Sequence, residues 1–105
     1  MYEETIEFSA RTGKFVDITG EVEEIVGRSR IKDGLCLVFN LGSTGGILIN
    51  ECENGLLEDF GETLEKITAG SHQHPSNAHS HLKAGIVGSG KTGIDNRGQG
   101  WATVC

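Results

Sequence analysis

The sequence lacks the features that mark several large classes of protein. Its 105 residues include one proline and one tryptophan, and 9 Lys and Arg stand against 15 Asp and Glu. A net charge of −6 without a basic cluster makes nucleic acid a poor candidate partner. No apolar run approaches the length of a membrane span, and the acidic N-terminus is unlike a signal peptide. We therefore expect neither a nucleic-acid nor a membrane partner.

Cysteine is also scarce. Cys36, Cys52 and Cys105 are odd in number and lack the short spacing of a metal site. This argues against a disulfide framework and for a reducing compartment, so we expect a cytoplasmic protein. Glycine, by contrast, occurs sixteen times, which indicates sharp turns and close backbone approaches. The length fits a single domain, 1–105, with one modest core.

Hydrophobic periodicity predicts a mixture of strands and helices. Residues 2–10, 15–18 and 47–50 have the pattern of strands, and the apolar run 35–41 predicts a central strand. Helices are expected from Thr19 as cap and from Asn54 as cap to about Thr68. From Asn77 to Val87 the pattern allows either a helix capped by Asn77 or a strand. Residues 88–100 are turn-like and 101–105 are expected to be a last strand. The order favours an α+β fold with a largely antiparallel, sandwich- or barrel-like sheet.

All four histidines fall within residues 72–81. Imidazole titrates near neutral pH and is the commonest metal ligand, so the cluster is either a polar loop or a site for a metal or an anionic ligand. His79 and His81 face one side only if their segment is extended or begins a helix. We take His74, His79, His81 and Glu51 as candidate ligands of a divalent metal, zinc or magnesium.

Other polar residues allow two interpretations each. Glu51 is either a catalytic carboxylate or an acid at the entrance of the following helix. Ser43 and Thr44, with the amides of residues 42–46, form either an anion-binding nest or a glycine bulge in a strand.

Residues 85–92, Gly-Ile-Val-Gly-Ser-Gly-Lys-Thr, match the nucleotide phosphate-loop pattern at every defined position. That loop must precede a helix whose N-terminus faces the phosphates. The residues after Thr92 form a poor helix, and only thirteen remain. We therefore favour a glycine-rich turn between strands over nucleotide binding.

Two stretches together resemble the YjbQ-like family, often described as secondary thiamine-phosphate synthases. They are Gly-Ser-Thr-Gly-Gly-Ile-Leu-Ile-Asn-Glu at 42–51, followed by an acidic amphipathic helix, and Asn-Ala-His-Ser-His-Leu-Lys-Ala at 77–84. The resemblance implies a small antiparallel α+β domain, a homotrimer, and a pocket of clustered His and acidic residues. The activity it implies joins a phosphorylated pyrimidine to a phosphorylated thiazole and releases pyrophosphate.

The chain departs from the family pattern at several positions. Lys83 stands where the family has Arg, which removes bidentate anion binding, and the family's later strands are absent. We expect His79, His81 and Glu51 to be catalytic, with Ser43, Thr44 and Lys83 holding a small phosphorylated ligand. A cationic cluster or metal would stabilise departing pyrophosphate while a histidine moves a proton. The alternative is a non-enzymatic oligomer that binds a metal or small molecule.

Overall fold

The computed structural model describes residues 1–9 and 14–95. Three helices and two strands follow one another in the order α1 (Thr19–Ser29), β1 (Gly34–Phe39), α2 (Asn54–Thr68), α3 (Ala78–Val87) and β2 (Gly90–Asp95). The strands pair antiparallel, with Gly34 opposite Asp95 and Phe39 opposite Gly90. This confirms the α+β class and the antiparallel sheet. The predicted strand at 101–105 lies outside the described residues.

The core lies between α1, the inner face of β1 and the segment that follows residues 42–46, which we call the glycine turn. Ile18, Val22 and Ile47 are buried together, and Cys36 and Val38 pack against them. Alternate residues of a strand point to opposite faces. The other face of β1 therefore stays in solvent, with Leu35 75%, Leu37 66% and Phe39 57% exposed. The prediction of a central strand is wrong within the described sheet, because that sheet has two strands.

Several predicted strands are not strands in the structure. Residues 2–9 and 15–18 form no ladder, and of residues 47–50 only Ile49 makes a bridge. Alternating apolar residues favour a strand only where a partner backbone is available. The N-terminal segment instead contacts α1 through an ion pair, in which the Arg28 guanidinium donates to both carboxylate oxygens of Glu4 at 2.7 and 3.0 Å.

The strand β2 was missed because glycines at 90 and 93 lower strand propensity. Its backbone nevertheless pairs along the full length of β1. The expectation that residues 88–100 are turn-like is therefore wrong for 90–95, and residues 96–100 lie outside the described part.

Helix bounds were predicted better than helix caps. Glu53 caps α2, because its carboxylate accepts hydrogen bonds from the amides of Gly55 and Leu56, both at 2.8 Å. These bonds lower the pKa of Glu53. At α1 the Asp17 carboxylate accepts from the amide and hydroxyl of Thr19, at 2.9 and 2.6 Å. Acidic side chains thus replace the predicted caps Asn54 and Thr19, each of which lies inside its helix.

Within the described ranges, no helix is long and apolar enough to cross a membrane. Cys36 is half-buried. Cys52 is disulfide-bonded, contrary to the expectation drawn from the odd cysteine count.

Candidate functional site

A cleft of about 570 Å³ lies where the glycine turn, α2 and α3 meet. Its polar lining includes side chains from separate parts of the chain: Lys14, Thr44, Glu62, Glu65, Ser80 and Lys83. Its apolar lining comes largely from Phe8, Phe15, Ile18, Leu64 and Val87. Two of the predicted ligand-binding residues, Thr44 and Lys83, therefore reach the same cavity although 39 positions separate them in the sequence.

Backbone hydrogen bonds hold the glycine turn against the end of α3. The amide of Asn40 donates to the Ser89 carbonyl at 2.7 Å, and the amide of Ile47 donates to the Gly88 carbonyl at 2.9 Å. The Asn40 side-chain oxygen accepts from the Gly42 amide at 2.7 Å. The Gly42 amide is thus committed within the turn, while Thr44, Gly45 and Gly46 line the cleft beside it.

Lys83 and Glu65 form an ion pair across the packed helices. The Lys83 ammonium donates to a Glu65 carboxylate oxygen at 2.5 Å. This hydrogen bond, then the charge of Lys83 and finally the charge of His79, lower the pKa of Glu65 below its ordinary value. Glu65 therefore lies close to two basic side chains of α3, Lys83 and His79. This contact is not predictable from the sequence, because residues 18 positions apart meet only through helix packing.

The four histidines interleave. His72 lies edge-on to His79 with ring centroids 4.5 Å apart, and His74 lies against His81 with centroids 4.9 Å apart. Each loop histidine thus contacts one helix histidine, which docks the loop onto the first turn of α3. The buried Nδ1 of His79 has no hydrogen-bond partner within the described part of the chain.

A second cavity, of about 490 Å³, lies beside this cluster. It is lined by His72, His74 and His81 together with Ser71, Gln73 and Leu82. His79 lines neither cavity. Within residues 1–9 and 14–95, no three His, Cys, Asp or Glu side chains are placed to hold a metal ion. The structure therefore separates His79 from His74 and His81, since residues 79 and 81 diverge by about 200° on a helix.

Three further residues singled out in the sequence lie outside both cavities. Glu51 is exposed and lines neither cavity, and its amide donates to the Asn50 side-chain oxygen at 2.8 Å. Ser43 is also exposed and outside both cavities. Asn77 precedes α3 as predicted, and its carbonyl accepts the Ser80 amide at 3.1 Å as in any helix, but its side chain makes no capping hydrogen bond.

The phosphate-loop match has the reverse of the required context. Gly85 lies in α3 and residues 90–92 lie in β2, so the order is helix, turn and strand. The ammonium of Lys91 donates to the Val87 carbonyl at the end of α3. Lys91 thus caps a helix, and this supports the rejection of a nucleotide site.

Comparisons with known proteins agree with the sequence resemblance. The family model described as UPF0047 protein YjbQ-like matches residues 4–99. A UPF0047 protein from Archaeoglobus fulgidus is 40% identical over 86 residues, which cover 77% of this chain and 66% of that protein. A UPF0047 protein from Methanothermobacter thermautotrophicus is 35% identical over 89 residues, covering 80% and 62%. The chain therefore spans slightly less than two thirds of these relatives.

Solved structures resemble the fold. An uncharacterised conserved protein of the YjbQ/UPF0047 family from Clostridium acetobutylicum superposes with a TM-score of 0.84 at 30% identity, covering 92% of this chain and 82% of that one. A YbjQ-like protein of unknown function from Sulfolobus solfataricus gives a TM-score of 0.76 at 37% identity, covering 85% and 71%.

Proposed function

Because this chain belongs to the YjbQ-like UPF0047 family, we propose that it binds a small phosphorylated ligand in the cleft between the glycine turn, α2 and α3. One observation carries the proposal: Thr44 and Lys83 line one cavity whose walls also include glycine backbone. Lysine binds phosphate as a point charge, and backbone amides in turns favour anions. Ser80 adds a hydroxyl to the same wall.

Inorganic pyrophosphate tests this binding. Titration calorimetry should give a defined affinity for the wild type and a loss of about tenfold in Lys83→Ala, the usual effect of deleting one charged hydrogen bond. Lys66→Ala is the matched control, since it removes the same charge from α2 at an exposed position outside the cleft. Equal losses in the two variants would show that net charge, and not the cleft, governs binding.

The finer proposal is a thiamine-phosphate synthase-type transfer, with Lys83 and Thr44 stabilising departing pyrophosphate. His79 or His81 would move the proton, with Glu51 as a further candidate carboxylate, and each would have to reach the ligand from outside the cleft lining. A coupled assay with both phosphorylated precursors should show turnover that is lost in a His79→Ala/His81→Ala double variant. Ligand affinity without turnover in the wild type would favour the non-enzymatic binding oligomer.

A divalent metal, zinc or magnesium, belongs to the same set of proposals, with His74, His79 and His81 as ligands. Neutral imidazole suits zinc better than magnesium. The fit within the described chain is incomplete, because no group of three ligands is assembled there. The unpartnered Nδ1 of His79 is the one observation in favour. Elemental analysis of protein purified without chelator should show metal in proportion to subunits, and none in the double histidine variant.

We also propose a homotrimer in the cytoplasm. The exposed row of Leu35, Leu37 and Phe39 on β1 supports assembly, because apolar patches of this kind commonly mark interfaces. Light scattering should give three times the subunit mass, and Leu37→Lys should lower it. A monomeric wild type would contradict the trimer. Cell fractionation tests the location.

A further inference from the structure

The ammonium that the ligand would use is already engaged by a carboxylate. Lys83 and Glu65 both line the cleft, and their charged atoms lie 2.5 Å apart. The Lys83 side chain is 18% exposed, whereas that of Glu65 is 64% exposed. The lysine is therefore held within the wall, while the glutamate reaches it from the solvent side of α2.

We propose that Glu65 is an internal competitor for the anionic ligand, so that its carboxylate lowers the affinity of the cleft for phosphate groups. This inference rests on the proposed function, since it assumes that Lys83 receives the ligand. A phosphate that approaches Lys83 meets a carboxylate on the same ammonium. It must displace that carboxylate or accept its repulsion, and either outcome costs binding free energy.

Glu65 can release Lys83 at little cost to stability. An ion pair with one partner this exposed contributes little to stability, because water screens it and the side chain loses entropy in forming it. We therefore expect a modest effect, about two- to fivefold in affinity.

Glu62 provides a matched control. It lies one turn earlier on α2, lines the same cleft and is exposed, but no ion pair joins it to Lys83 in the described structure. Glu62→Gln and Glu65→Gln therefore remove the same charge from the same wall. Only Glu65→Gln also frees the ammonium.

Titration calorimetry with inorganic pyrophosphate decides the matter. The inference predicts that Glu65→Gln binds about two- to fivefold more tightly than wild type and that Glu62→Gln binds within about 1.5-fold of it. Weaker or equal binding by Glu65→Gln would show that Glu65 positions Lys83 or is irrelevant, and would overturn the inference while leaving the proposed function. Equal tightening in both variants would also overturn it, as a general charge effect.

If neither wild type nor Glu65→Gln binds pyrophosphate, the proposed function fails and the inference fails with it. Thermal melts followed by circular dichroism confirm that each variant is folded. A second variant, Glu65→Ala, should tighten binding to the same extent as Glu65→Gln, since both remove the competing carboxylate. Tightening by the amide alone would indicate a new contact from glutamine and would contradict the competition.

Discussion

Gly46 is the position where a single methyl group should do the most damage to the cleft. It is half-buried in the glycine turn and lies against the end of α3. A Cβ built on Gly46 would lie 2.9 Å from Val87 Cγ1, 3.1 Å from Val87 Cβ and 3.0 Å from the Gly88 carbonyl oxygen. Unstrained carbon contacts lie at about 3.5–4.0 Å, so Gly46→Ala requires movement.

Neither neighbour can move cheaply. Valine in a helix is almost restricted to one rotamer, so rotation does not remove the clash with Val87. The Gly88 carbonyl accepts the Ile47 amide at 2.9 Å, so drawing the chains apart lengthens the hydrogen bond that holds the turn to α3. Overpacking typically costs about 1–3 kcal/mol, and two fixed obstacles place Gly46→Ala in the upper half of that range.

Gly61→Ala is the matched control. Gly61 also lines the cleft, but it lies inside α2 and a Cβ there meets nothing within 4 Å. Alanine should therefore raise stability by about 0.5–1 kcal/mol, because glycine weakens a helix interior.

Urea unfolding followed by far-UV circular dichroism measures both changes, as midpoint shifts at constant m-value. The two glycine variants should move in opposite directions. A Gly46→Ala protein within about 0.5 kcal/mol of wild type would refute the reasoning, because surface changes without a clash fall in that range.

Three further predictions follow from contacts outside the cleft. Glu53→Ala should lower the free energy of unfolding in urea by about 1 kcal/mol, whereas Asn54→Ala, inside the helix, should leave it unchanged or raise it. Equal losses in the two variants would contradict the assignment of Glu53 as the cap. Arg28→Gln should raise the pKa of Glu4 from about 2 toward its ordinary 4.5 in a carboxyl NMR titration, because the guanidinium hydrogen bond is its main cause. Because the pKa of Glu4 is lower in the folded state, the pair stabilises the fold above pH 4.5, and this stabilisation is lost as the pH falls toward 2. The stability of the variant should not show this loss. Lys91→Ala should lower the free energy of unfolding by about 0.5–1 kcal/mol, because it removes the hydrogen bond to the last carbonyl of α3. Any affinity for ATP should stay unchanged, and a loss of that affinity would restore the nucleotide hypothesis.

The sequence predicts those elements whose cause is local. The helix α2 follows from apolar residues at three- and four-residue steps, and its last residue, Thr68, was placed correctly. Its cap was assigned one residue late, because Glu53 and Asn54 are both acceptable acceptors and only geometry chooses between them. The strand β2 could not be predicted, because its glycine-rich sequence is held by β1, more than fifty residues away.

The candidate site also contains residues that local sequence predicts and residues that only distant contacts bring together. Lys83 and Thr44 were identified through the family motifs, and the structure places both in one cleft. Glu65 was missed, since an acidic residue on an amphipathic helix is normally a solvated one. The pairing of the histidines was also missed, because the contacts that join the loop to α3 depend on how residues 69–77 fold back, which spacing alone does not show.

The short helix α3 explains why its motif does not converge on one point. Successive residues on a helix are separated by about 100°, so positions three, four and seven apart share a face. One face of α3 lines the cleft with Ser80, Lys83, Ala84 and Val87, and the opposite side lines the second cavity with Ala78, His81 and Leu82. Changes on the two faces should therefore act on different cavities. If pyrophosphate binds only at Lys83, the effects of Lys83→Ala and His81→Ala on its affinity should be separable, with His81→Ala near neutral. A large loss in His81→Ala would show that the ligand or its chemistry spans both sides of the helix.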